Sequence, residues 1–103
     1  MAEFERVMSV SDLAPGACRT VKVGGKTVAV YNVGGTFHAT SNACLHRGAP
    51  LGEGFLDGEA VICPWHSWSW NVRTGKNTDN PDMRIATYEV KVAGDDVLVR
   101  IEP

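Results

Sequence analysis

The chain has 103 residues, 44% of them apolar, and its 10 Lys and Arg against 12 Asp and Glu leave a formal net charge of −2. That length suits one domain, residues 1–103, with a real but modest core and no room for a second. Acids and bases are interspersed, which excludes a basic footprint for nucleic acid and a cationic amphipathic stretch for a membrane surface, so partners should be proteins.

At the N-terminus, MAEFERVMSV has no basic leader followed by an apolar run, and nowhere do eighteen apolar residues occur together. The expectation is a soluble, cytoplasmic chain. Between Ser11 and Gly16 at most a short turn can form, because Pro15-Gly16 stops any helix that Ser11 or Asp12 caps. Cys18 falls in a β-type run, where a thiol behaves as a small, buried or half-buried hydrophobe. Val21 and Val23 then alternate with Thr20 and Lys22, Gly24-Gly25 supplies a tight turn, and Val28 and Val30 resume the alternation as the second arm of a hairpin. A second pair, Gly34-Gly35, separates a strand ending near Val33 from a short strand around Phe37 that also holds His38. At the other end of the chain Tyr88, Val90 and Val92 alternate before Ala93-Gly94-Asp95-Asp96, and Val97, Val99 and Ile101 alternate after it. Short strands punctuated by glycine and aspartate predict an all-β protein with minimal helix, an antiparallel β-sandwich or partly open barrel.

Two short clusters stand apart from this framework. Cys44-Leu45-His46 and Cys63-Pro64-Trp65-His66 each pair one thiolate with one imidazole, and sixteen residues separate them. Loops that each bring one soft, charged sulfur and one neutral nitrogen suit two inequivalent metals, one held by both sulfurs and the other by both nitrogens. An iron–sulfur centre in which two histidines replace two cysteines on one iron is such a site. Zinc is the competing reading, because it also takes two Cys and two His in a closed tetrahedron and would make the chain a structural or interaction module. Structural zinc sites usually pair like with like, however, and C-x-H is a tight bite for one tetrahedral ion.

The spacing C-x-H…C-x-x-H resembles the Rieske family, and residues 44–75, CLHRGAPLGEGFLDGEAVICPWHSWSWNVRTG, are similar to the cluster-binding part of small soluble Rieske-type ferredoxins. Gly48-Ala49-Pro50-Leu51, Cys63-Pro64-Trp65-His66 and Thr74-Gly75 fall where that family places loop-shaping residues. The resemblance implies one Rieske domain with an inserted cluster-binding subdomain over residues 41–79 or so. It further implies that Cys44 and Cys63 bind the inner ferric ion of one [2Fe–2S] cluster, and that His46 and His66 bind the outer, reducible iron. Gly48, Gly52 and Gly54 would let the first loop bend and aim backbone N–H groups at the sulfides.

Other positions refine this. With two cysteines taken, Cys18 is left over and no internal disulfide is expected. High-potential respiratory Rieske proteins add a cysteine pair, and here Ala49 and Trp65 stand in the corresponding places. Their serine and tyrosine donors, two and four residues after the second ligand histidine, are replaced by Trp68 and Trp70. Losing those bonds to the reduced state implies a potential near the low end of the Rieske range, on the order of −150 mV, with Ser67 and Ser69 as the remaining hydroxyl donors. Trp70 should be buried and Trp65 partly exposed, while Asn80-Pro81 lies where the family has a proline-containing loop over the cluster. Solvent-facing imidazoles imply a potential that falls as pH rises through the alkaline range.

An iron site of the two-histidine, one-carboxylate kind would need two further histidines, and only His38 remains, so the chain is read as an electron carrier and not an enzyme. By resemblance it takes electrons singly from a flavoprotein reductase and passes them to a terminal oxygenase of the aromatic-ring-hydroxylating kind. Docking would be transient and near His46 and His66, with Arg47 beside them, and nothing demands more than a monomer. The alternative is a small Rieske subunit of a nitrite-reductase-like complex, a group that often lacks the full ligand set present here.

Overall fold

The computed structural model describes residues 4–42, 50–63 and 68–100. These residues form β1 (Phe4–Ser9), β2 (Cys18–Val23), β3 (Lys26–Val33), β4 (Thr36–Ser41), β5 (Phe55–Asp57), β6 (Ala60–Ile62), β7 (Ser69–Asn71), β8 (Thr87–Ala93) and β9 (Asp96–Arg100). All pairings are antiparallel, in a six-stranded sheet ordered β1-β9-β8-β4-β3-β2 and a three-stranded sheet ordered β5-β6-β7. The outer strands β1 and β2 approach each other, which curls the larger sheet into a nearly closed barrel. Among the described residues the helical content is two 3₁₀ turns, Val10–Asp12 and Leu51–Glu53.

Local chemistry accounts for the barrel's hairpins. Gly24 and Gly25 adopt φ of +55° and +82° between the paired residues Val23 and Lys26, and Gly34 and Gly35 adopt +59° and +99° between Val33 and Thr36. Two successive residues with positive φ give the turn whose twist matches the flanking strands, and glycine takes that conformation without a steric penalty. The strand around Phe37 is longer than the sequence suggests, because Ala39 and Thr40 continue its ladder toward β3 and also pair with Tyr88 and Thr87 of β8. Strand β1 has no clear alternating signature. Its register shifts between Arg6 and Met8, and such a bulge exchanges the faces on which successive side chains fall.

Strand β3 is the wall shared by two cores. Val28 and Val30 point into the barrel with Met8, Leu13, Val23, Phe37, Ala39, Val97 and Val99. Ala29 and Tyr31 point the other way, into a second cluster with Leu51, Val61, Cys63, Trp70, Val72 and Ile85. Burial on both faces explains the unbroken apolar run from Val28 to Tyr31, of which periodicity reveals only one half. The Tyr31 hydroxyl and Thr40 Oγ1 lie 2.8 Å apart, satisfying a buried polar pair inside the second cluster's wall. The three-stranded sheet is therefore held against the outside of the barrel by Trp70, Tyr31 and Leu51, the largest fully buried side chains among the described residues.

Candidate metal centre

Of the four residues in the Cys/His pattern, Cys63 is within the described part. Cys44, His46 and His66 lie outside the described residues, as do Arg47, Gly48, Ala49, Trp65 and Ser67. The structure instead defines the bases of the two loops to which these residues belong.

The first loop leaves the barrel at Asn42, directly after β4, and returns at Pro50 and Leu51. Leu51 N–H donates to the Asn42 carbonyl at 2.7 Å, and Gly52 N–H donates to Asn42 Oδ1 at 2.8 Å. Thr20 Oγ1–H of β2 donates to the same oxygen at 3.1 Å, and Asn42 N–H reaches the Thr27 carbonyl at 3.4 Å. The second loop leaves β6 at Cys63 and returns at Trp68, where Cys63 N–H donates to the Trp68 carbonyl at 2.6 Å. Cys63 is 2% exposed and packs in the same cluster as Leu51, so the roots of both loops rest on one apolar floor.

Two of the glycines expected to bend the first loop act differently. Neither Gly52 nor Gly54 has a positive φ; both stand where the backbone approaches another strand closely. A Cβ on Gly52 would overlap Thr20 Oγ1 and lie 2.6 Å from the Thr20 backbone nitrogen, and a Cβ on Gly54 would overlap the Ile62 carbonyl. Gly54 thus sets the return of the first loop against the residue that precedes Cys63. Beside it, Cys18 Sγ–H donates to the Gly54 carbonyl at 3.2 Å, and partial burial raises the thiol's pKa, which keeps Cys18 a neutral packing group.

Trp70 is fully buried, as expected, and its ring lies 6.2 Å from that of half-buried Trp68. Trp68 also lines a cleft of about 340 Å³ with Asn77, Asp79, Asn80 and Met83. Asn77 Oδ1 shapes that cleft by accepting the N–H groups of Asp79 (2.8 Å) and Asn80 (3.0 Å), which turns the chain through the exposed Asn80-Pro81. Thr78 is tied to β7 both through its N–H, which donates to the Ser69 carbonyl at 3.1 Å, and through a hydroxyl contact with Ser69. Gly75, at φ +80°, returns the chain toward the barrel so closely that a Cβ would overlap the Ile85 carbonyl.

His38 lies on β4 as expected, half-buried in a separate cleft of about 290 Å³ with Ala39, Val72, Arg73, Thr87, Tyr88 and Glu89. Burial lowers its pKa, the nearby Glu59 charge opposes that, and Arg73 adds to it. Sequence reasoning missed Asn42 and Asn77. Each is a buried asparagine whose acceptor serves backbone N–H groups at a loop, and the visible signal was an asparagine within two or three residues of a functional or proline-containing segment.

The donor set fits an iron–sulfur centre: both loops open from one buried floor, one of them at a buried cysteine, and each carries one sulfur and one imidazole. The chain belongs to the Rieske [2Fe–2S] domain family, whose match spans residues 3–89. It is a Rieske-type ferredoxin, carries one [2Fe–2S] cluster, and is an electron carrier, not itself a catalyst. Among its relatives, ferredoxin CarAc of Metapseudomonas resinovorans is 41% identical over 96 residues, covering 91% of this chain and 90% of that one. The ferredoxin component of biphenyl 2,3-dioxygenase from Rhodococcus jostii (strain RHA1) is 41% identical over 98 residues, covering 94% and 92%. In solved structures, the ferredoxin of carbazole 1,9a-dioxygenase from Nocardioides aromaticivorans IC177 superposes with a TM-score of 0.86 at 33% identity, over 93% of this chain and 95% of that one. A chain in a complex of reduced oxygenase and oxidized ferredoxin of carbazole 1,9a-dioxygenase gives a TM-score of 0.85 at 40% identity, over 93% and 91%. Among the described residues no helix is long and apolar enough to cross a membrane.

Proposed function

We propose that Cys44 and Cys63 hold the inner ferric ion of the [2Fe–2S] cluster and that His46 and His66 hold the outer, reducible iron, within a cluster-binding subdomain of about residues 41–79 in a single domain, 1–103. When bound, the cluster supplies reversible one-electron chemistry at its histidine-ligated iron. The observation that carries this reading is the shared floor: Cys63 and Leu51 pack in one cluster, with Gly54 against Ile62, so loops sixteen residues apart in sequence start side by side. The chain's own residues contribute three things. The amides of Asn42 and Asn77 hold the flanking backbone, Trp70 and Leu51 exclude water from beneath, and Cys18 stays neutral beside Gly54.

The carrier takes electrons from a flavoprotein reductase and delivers them to a terminal oxygenase of the ring-hydroxylating kind, docking transiently as a cytoplasmic monomer at the His46/His66 tip. Relatives more than a third identical, named as ferredoxin components of dioxygenase systems, support the oxygenase side of this partnership. With Trp68 and Trp70 in place of hydroxyl donors, the midpoint potential is expected near the low end of the Rieske range, on the order of −150 mV.

The purified protein should be red-brown, contain iron and sulfide in equal amounts, and give an anisotropic electron paramagnetic resonance signal when reduced. Cys44→Ala and His66→Ala should abolish the colour, and His46→Cys should keep iron with an altered spectrum. A colourless protein holding zinc would replace this reading with the structural-module one, and a midpoint above zero would remove the argument from the tryptophans.

A further inference from the structure

We infer that Asn42 is a positioning residue for the metal centre, fastening both ends of the loop that contains Cys44 and His46 to the barrel. The inference rests on the reading of those two residues as ligands. Asn42 is 9% exposed, and its backbone and side chain together join four places. Its N–H goes to Thr27 of β3 (3.4 Å), its carbonyl accepts from Leu51 (2.7 Å), and Oδ1 accepts from both Gly52 N–H (2.8 Å) and Thr20 Oγ1–H (3.1 Å). The chain entering the loop, the chain leaving it and the strand beneath are thereby held by one amide oxygen.

Backbone pairing at this root is sparse, because β4 ends at Ser41 and the returning segment is a 3₁₀ turn; the backbone bonds of Asn42 to Thr27 and Leu51 are supplemented by Oδ1, which reaches Gly52 and Thr20. Closing the loop at its root reduces the conformations available to the residues within it, which is the means by which groups outside the ligand shell orient metal ligands. Gly52 is the complementary half of the device. A Cβ here would lie 2.6 Å from the Thr20 nitrogen, so only a residue without a side chain can pass this close to β2 and still deliver its N–H to Oδ1. Aspartate offers the same acceptor in the same shape, whereas alanine leaves the Gly52 N–H and the Thr20 hydroxyl without it.

The test uses the holoprotein. Loss of visible absorbance is timed in the presence of an iron chelator, and the paramagnetic resonance signal of the reduced protein is recorded. Asn42→Ala should lose its colour at least roughly tenfold faster than wild type and broaden the signal, and Asn42→Asp should stay within about threefold of wild type with an unbroadened signal. Val30→Ala, inside the barrel and away from the floor beneath the loops, is the control for general loosening and should leave the rate of cluster loss near wild type. If Asn42→Ala does not fold, Thr20→Val removes one of the two donors and should speed the loss by roughly threefold. Wild-type rates in Asn42→Ala, or in Thr20→Val where that variant stands in, would overturn the inference, as would Asp no better than Ala. A wild-type protein without iron would instead overturn the ligand reading first, before any variant is made.

Discussion

In the barrel, strands of five to eight residues meet along continuous ladders, and the polar backbone is satisfied by its own neighbours. Strands β5, β6 and β7 have three residues each, too few to hold a sheet by pairing alone. The smaller unit compensates with side-chain amides. Asn71 Oδ1 accepts from Arg73 and Thr74, Asn77 from Asp79 and Asn80, Asn80 from Asp82, and Asn42 from Gly52. The barrel has one such residue in the described part, Asn32, which joins the Leu13 carbonyl to the Gly35 N–H. The difference follows from how each unit is built: long ladders make a rigid wall, whereas a unit of short strands spends its chain on turns and must brace them individually.

The two regions should separate most visibly in a variant at Trp70. Trp70→Ala should cost about 3–5 kcal/mol, since a fully buried indole on the shared floor is removed, and visible absorbance should vanish at lower denaturant than the far-ultraviolet β signal. Val30→Ala, inside the barrel, should cost about 2 kcal/mol and leave the visible spectrum of the folded protein unchanged. Coincident loss of colour and β signal in both variants would mean that the two regions unfold as one.

Gly75→Ala should cost about 2 kcal/mol or more, from a residue with a side chain at positive φ together with displacement of the Ile85 carbonyl; a thermal melt of the holoprotein reads it. A smaller effect, about 1 kcal/mol, is expected for Asn71→Ala, because the N–H groups of Arg73 and Thr74 are exposed and water replaces the lost acceptor.

The smallest effect sharpens the seam between the regions. His38, in the cleft between β4, β8 and the turn at Arg73, has its folded pKa lowered below 6.5 mainly by burial. Below pH 6.5 the unfolded chain binds the proton more readily, so stability falls as pH drops from there to the folded pKa and levels off beneath it. His38→Gln should flatten that slope in denaturant titrations carried out between pH 7 and pH 5. An unchanged slope would assign it to other groups.

Much of the fold could be read locally. Gly24-Gly25 and Gly34-Gly35 announce hairpins because two consecutive residues without Cβ atoms favour one tight turn, and alternating valines mark the strands beside them. The Cys/His spacing likewise pointed to a Rieske centre, because ligand types and their separation in sequence are properties of the chain itself. Strand β1 escaped notice through its bulge, and the buried face of Ala29 and Tyr31 through the run of apolar residues that hid any period.

Tertiary structure alone decided which residues serve the centre from outside the pattern. Gly52 and Gly54 read as bends in the sequence, yet they are glycines because Thr20 and the Ile62 carbonyl, thirty-two and eight residues away in the chain, lie where a Cβ would be. Asn42 is an ordinary polar residue until Thr20, Leu51 and Gly52 converge on it. Turn propensity and ligand chemistry reside in neighbouring residues, whereas close approach and shared acceptors exist only after distant segments have packed.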